Sequence, residues 1–129
     1  MEKINEIIKT KNAPAPIGPY NQAIKVKDTL YISGQIPLIP STMELFSGTI
    51  KEETELVMES LKSILNEAGM NFENVVKTTI FIDNMDNFHN VNEVYGKYFN
   101  NESAPARETV AVKTLPKSVR IEISMIAVD

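Results

Sequence analysis

The sequence predicts an α+β domain, helices laid on one face of a sheet, from three observations. Two stretches carry apolar residues at helical spacing, residues 75–83 are apolar on both faces, and alternating segments occupy both ends of the chain. The order is strands, helix, strand, helix, strands, with no repeat, low-complexity segment or linker across residues 1–129. One domain of this length buries most of its apolar surface without disulfide or metal staples.

Residues 12–20 hold three prolines and a glycine, an extended, stiff loop that delivers Tyr20 to a defined place. Residues 20–26 and 29–35 then read as two strands around a Lys27-Asp28 turn. In the second, Leu30, Ile32 and Gly34 share one face while Tyr31, Ser33 and Gln35 share the other. Pro37 and Pro40 end the pairing. Thr49-Ile50-Lys51-Glu52 fits a capping box, Gly69 a helix stop, and Val57, Leu61, Ile64, Leu65 and Ala68 recur between them as one helix face. Val75 to Asp83, β-branched and apolar on both faces, fits a central strand. Asp86 is placed to cap a second helix with Phe88, Val91, Tyr95, Tyr98 and Phe99 as its apolar stripe. Asn92 falls on that stripe's face and His89 off it.

The C-terminal end reads as an antiparallel hairpin around a four-residue break, Leu115 to Ser118. With Thr114 opposite Val119, Thr109 lies opposite Ser124, and Arg107, Thr109, Glu122 and Ser124 project to one side. A guanidinium, a carboxylate and two hydroxyls would there cradle a small anion and a water. A one-residue slip would undo the arrangement. Two helices cover only one face of such a sheet, and the hairpin's other face also carries apolar residues. A closed, symmetric homo-oligomer is expected.

Composition narrows the chemistry. There is no cysteine, which excludes a disulfide framework, a thiolate nucleophile and Cys-ligated metal, and the single histidine excludes multi-histidine zinc sites. No metal is expected. A net charge of −4 gives no general attraction to a phosphate backbone, so nucleic acid is not an expected partner. The acidic N-terminus lacks a long apolar core and no apolar run reaches transmembrane length, so a cytoplasmic protein without membrane contact is expected.

Gly18-Pro19-Tyr20, Ser33-Gly34-Gln35-Ile36-Pro37, Val76-Lys77-Thr78-Thr79-Ile80-Phe81, Val91-Asn92-Glu93-Val94-Tyr95, Pro105-Ala106-Arg107 and Arg120-Ile121-Glu122-Ile123 together resemble the RidA (YjgF) family. The resemblance runs from Asn12 to Val128. It implies a chorismate-mutase-like fold with a mixed six-stranded sheet, assembled as a homotrimer with sites between subunits. It also implies hydrolysis of reactive 2-imino acids (2-iminobutanoate, 2-iminopropanoate), products of pyridoxal-phosphate-dependent dehydratases, to 2-keto acids and ammonia without a cofactor. The family's carboxylate-binding arginine matches Arg107 and its water-activating acid matches Glu122. Tyr20, Ser33 with the adjacent Gly34, and Asn92 match its substrate-binding positions. Thr109 stands where many deaminases carry cysteine, and the loop of residues 41–46 lacks the glycine often found in its turn.

Each residue also has a plainer reading. Arg107 is equally suited to a surface ion pair, and Glu122 to a solvated strand position or to pairing with Arg107. Ser33, Thr109, Tyr20 and Asn92 are residue types that commonly satisfy nearby backbone. A metabolite-binding regulatory module would use the same cleft without turnover.

Overall fold

The computed structural model describes residues 5–129. Six strands, β1 (Asn5–Ile8), β2 (Ala23–Val26), β3 (Thr29–Gln35), β4 (Val75–Ile82), β5 (Ala106–Ala111) and β6 (Ile121–Val128), form one sheet in the order β1-β2-β3-β6-β4-β5. All neighbours are antiparallel except β4 and β5. Helix α1 (Ile50–Glu67) packs on β3 and β6, and α2 (Phe88–Tyr95) lies against α1. The expected mixed sheet with two helices on one face is what forms, and no described helix is long and apolar enough to cross a membrane.

The C-terminal hairpin does not form. Strand β4 lies between β5 and β6, pairing parallel with the first and antiparallel with the second. Hydrophobic burial decides this. Ile121, Ile123, Met125 and Ala127 of β6 and Thr78, Ile80 and Ile82 of β4 are all 2% exposed or less, and a sheet centre is the position that covers them. Strand β5, Ala-Arg-Glu-Thr-Val-Ala, has no fully buried residue and takes the edge, where unpaired backbone meets water. Helix α2 supplies the crossover that a parallel β4–β5 pair requires. The break before β6 is a 3₁₀ turn, Pro116–Ser118, with Lys117 and Ser118 both at φ 56°.

Local chemistry explains most of the remaining elements. Thr49 accepts from the Glu52 amide and Glu52 returns the bond to the Thr49 amide, so the expected capping box closes. Gly69, at φ 74°, donates to the Asn66 carbonyl and Met70 donates to that of Leu65, a Schellman stop. The Lys27-Asp28 turn joins β2 to β3 as expected, with Val26 opposite Thr29. Asp86 does not cap α2. Asn84 caps instead, its side chain accepting from the Asp86 amide at the head of a 3₁₀ turn, Met85–Asn87, that feeds the helix. In the loop of residues 39–48, Met43 takes the left-handed conformation at φ 61°, and its amide donates to the Ile39 carbonyl.

Two further corrections matter for the site. Strand β3 carries a bulge: Ile32 faces Met125 and Gln35 faces Ile123, so Ser33 and Gly34 together span one partner residue, Ser124. Beyond it the parity of β3 inverts, so that Gln35 is buried and Gly34 turns to the helix-free face. Strand β1, not expected from the sequence, is an edge strand of which only Ile8 is buried. It exists because β2 offers it a backbone partner, not because its own residues alternate.

One buried side chain, Gln22, ties down much of the proline-rich loop. Gln22, 4% exposed, accepts from the Thr10 amide at 2.8 Å and directs its own amide group at the carbonyls of Thr10, Ala13 and Pro14. Gln22→Leu keeps the volume and strands these buried groups, so it should lower stability by about 2 kcal/mol in denaturant titration. Unchanged stability would show that the loop holds itself.

Candidate active site

Two clusters of the expected residues stand on opposite faces of the sheet. On the helix-free face, Glu122 of β6 lines a cleft of about 140 Å³ with Tyr20, Gly34, Ile17 and Pro116. Gly34 is there because of Glu122: a Cβ at that position would lie 2.7 Å from the Glu122 carboxyl carbon. Any side chain would displace the carboxylate. No donor or cation among the described residues bonds Glu122, and burial alone raises its pKa from the ordinary glutamate value. Tyr20 is exposed, and its hydroxyl accepts from the Ile17 amide at 3.2 Å, so the loop shapes its position over the cleft.

Ser33 lies outside that cleft, bordering a neighbouring hollow with Tyr20, Asn21 and Tyr31. Its hydroxyl donates to the Asn21 carbonyl at 2.6 Å and its amide to that of Gln22 at 2.9 Å. The serine proton is thus spent on holding the loop against β3.

On the helix side, Arg107 of β5 is half-buried over α2. One terminal nitrogen donates to the Asn92 side-chain oxygen at 2.8 Å, and Cζ sits 5.0 Å from the Tyr95 ring centre and 5.8 Å from that of Phe88. No carboxylate among the described residues pairs with it. It opens onto a hollow of about 380 Å³ with Asn92, Gly96, Phe99 and Pro105. Asn92 and Phe88, expected on the buried stripe, are both exposed on this rim; Val91, Val94 and Tyr95 supply the buried face. His89 is exposed, as expected. Two residues along β5, the Thr109 hydroxyl is buried without a hydrogen-bond partner among the described residues.

The expectation that Arg107, Thr109, Glu122 and Ser124 share a face is overturned. Arg107 pairs across β4 with Thr78, which is fully buried under the helices, whereas Glu122 pairs with Phe81. Thr78 and Phe81 are three apart and point to opposite sides. Arg107 and Thr109 therefore face α2, and Glu122 and Ser124 face away. An Arg107–Glu122 ion pair within one chain is excluded for the same reason.

Sequence reasoning also missed the start of β6. Arg120 chelates Glu53 of α1 through two nitrogens at 2.5 and 3.2 Å and donates to the Gly48 carbonyl at 2.9 Å. Its charge is thereby turned away from Glu122, two residues on. The one signal was Glu53 itself, an acid on the apolar side of α1. The Glu53 side chain is 8% exposed and that of Arg120 38%, which weakens the pair below a fully buried one. Arg120→Ala should destabilise the fold by roughly 2–3 kcal/mol, by leaving Glu53 buried and unpaired. Thermal melts check this, and a loss within error would mean that water reaches Glu53.

The chain is similar to known proteins over nearly its whole length. Residues 10–129 match the family described as endoribonuclease L-PSP. A RutC family protein of Pyrococcus horikoshii is 50% identical over 124 residues, 96% of this chain and 98% of its own. A mouse protein named 2-iminobutanoate/2-iminopropanoate deaminase is 47% identical over 126 residues, 98% of this chain and 93% of its own. Among solved structures, RidA from an Antarctic Psychrobacter superposes with a TM-score of 0.91 at 40% identity, covering 96% of this chain and 99% of that one. Escherichia coli TdcF with bound serine superposes with a TM-score of 0.90 at 38% identity, covering 96% and 98%. A match over nearly the whole chain, in sequence and in fold, makes this protein a member of the RidA (YjgF, endoribonuclease L-PSP) family.

Proposed function

We propose that the protein hydrolyses reactive 2-imino acids to 2-keto acids and ammonia, at sites shared between copies of the chain in a homotrimer. The observation that carries this reading is the state of Arg107: a half-buried guanidinium, held by an amide and two aromatic rings, with its charge left unneutralised. Its open fork suits a substrate carboxylate, which it would grip through two parallel bonds. The mouse relative's name and the serine in TdcF, an amino-acid-sized carboxylate, support the same substrate class.

A protonated imine is already electrophilic, so orientation, a water and a base suffice. Arg107 fixes the carboxylate. Glu122 takes a proton from water as the oxygen bonds to C2 and the C=N π electrons move to nitrogen. It then returns that proton to the amine nitrogen, and as the adduct collapses it takes the hydroxyl proton while the C–N bond breaks, releasing ammonia and leaving the 2-keto acid. A carboxyl with a raised pKa is a stronger base than an ordinary glutamate, which suits this shuttle. Tyr20 closes the cleft, and the buried Thr109 hydroxyl, without a hydrogen-bond partner among the described residues, lies on the same face of β5 as Arg107. No cofactor enters the scheme. Because Arg107 and Glu122 face opposite ways, a second copy must bring its Glu122 face against the first copy's Arg107. The uncovered Tyr31, Val110 and Val128 on that face supply apolar area for the contact.

The test couples threonine dehydratase to the protein and follows 2-ketobutyrate release while semicarbazide competes for the imine. The protein should hasten release, and Arg107→Ala should remove roughly 2–5 kcal/mol of transition-state binding, about 1.5 to 3.7 decades in rate, while leaving the assembly intact. Binding of 2-ketobutyrate without faster release would favour the regulatory module instead.

A further inference from the structure

We propose that Tyr95 is the positioning residue for the Arg107 guanidinium, a neutral aromatic clamp fixed at its far end by Thr78. The inference rests on the reading of Arg107 as a carboxylate anchor.

An arginine is ordinarily oriented by an acid, and an acid here would consume the charge that the substrate needs. The nearby acids are engaged elsewhere: Glu93 of α2 with Lys51 at 2.6 Å, and Glu108 of β5 with Lys77 at 3.0 Å and with Thr79. The Tyr95 ring faces the guanidinium 5.0 Å from Cζ, within cation–π range, and attracts it without neutralising it.

The ring itself has little freedom. Tyr95 is 5% exposed, its hydroxyl donates to the Thr78 hydroxyl at 3.0 Å, and its ring packs 4.8 Å from that of Phe99. Thr78 stands directly opposite Arg107 in the β4–β5 register, so the strand pair that places the arginine also places the anchor of its clamp. Burial raises the Tyr95 pKa, which keeps the phenol neutral and its donor in place. Phe88, exposed and 5.8 Å from Cζ, has no such anchor.

The experiment is a double-mutant cycle on the intact protein, reading 2-ketobutyrate affinity by NMR titration and the KM-against-kcat split in the dehydratase-coupled assay. Tyr95→Leu should weaken 2-ketobutyrate binding and raise KM by about five- to tenfold with little change in kcat, whereas Tyr95→Phe, which keeps the ring but loses the Thr78 anchor, should fall between, at about two- to threefold. In an Arg107→Ala background Tyr95→Leu should add less than about twofold, because its partner is gone. An equal further loss in that background would overturn the clamp and leave Tyr95 as plain core. Should Arg107→Ala itself leave 2-ketobutyrate binding unchanged, the anchor reading fails, and the clamp fails with it. Tyr95→Met provides the same test if the leucine variant does not fold.

Discussion

The position of β4 between β5 and β6 governs everything the site can do. It sets Arg107 against the buried Thr78 and Glu122 against Phe81, and so commits the two charged groups to opposite faces of one sheet. The placement follows from burial: β4 and β6 carry the most apolar faces in the chain and compete for the centre, which leaves β5 the edge. In the proposed reaction each copy then displays one half of the site on either side of the sheet. The helix-free face, apolar and polar by turns, is the surface through which the proposed trimer would join one half to the other.

The two halves solve opposite electrostatic problems. Arg107 must keep its charge available, and neutral groups hold it: an amide oxygen at 2.8 Å and the faces of two rings. Glu122, the proposed base, sits where no donor bonds it and burial partly removes water, which raises its pKa. Gly34 makes room for that carboxyl, and the β3 bulge turns Gly34 towards it. Arg120, near enough in sequence to compromise Glu122, is drawn away by Glu53. Even the rigid loop bearing Tyr20 depends on a core group, the Gln22 amide.

Features set by neighbours in sequence were legible. The Thr49–Glu52 box, the Gly69 stop and the Lys27-Asp28 turn each follow from a few adjacent residues and form as expected, whereas β4, expected to be covered on both sides, is buried on its helix face alone, with Val76 exposed. Features set by distant pairing were not. An alternating segment followed by a break and another alternating segment looks like a hairpin, and only the competition for the sheet centre shows that β5 and β6 must part. Strand β1 owes its existence to β2, the bulge at Ser33-Gly34 to its fit against Ser124, and the capping by Asn84 to a 3₁₀ turn ahead of α2. For the candidate site, Arg107, Glu122, Tyr20 and Gly34 could be singled out from the sequence, but not the face each occupies. Tyr95 read as one more apolar stripe residue, since a ring's hydroxyl partner and the cation over its face both come from other elements.

The claim that one chain cannot hold a complete site is tested most directly by mixing Arg107→Ala and Glu122→Gln copies, each nearly inactive alone, after unfolding and joint refolding. If sites are shared between copies, random mixed assemblies regain wild-type pairs of Arg107 and Glu122 at about a quarter of their sites, and imine hydrolysis returns in that proportion. Mixtures as inactive as their parents, in assemblies shown by mass to be hybrid, would contradict the account.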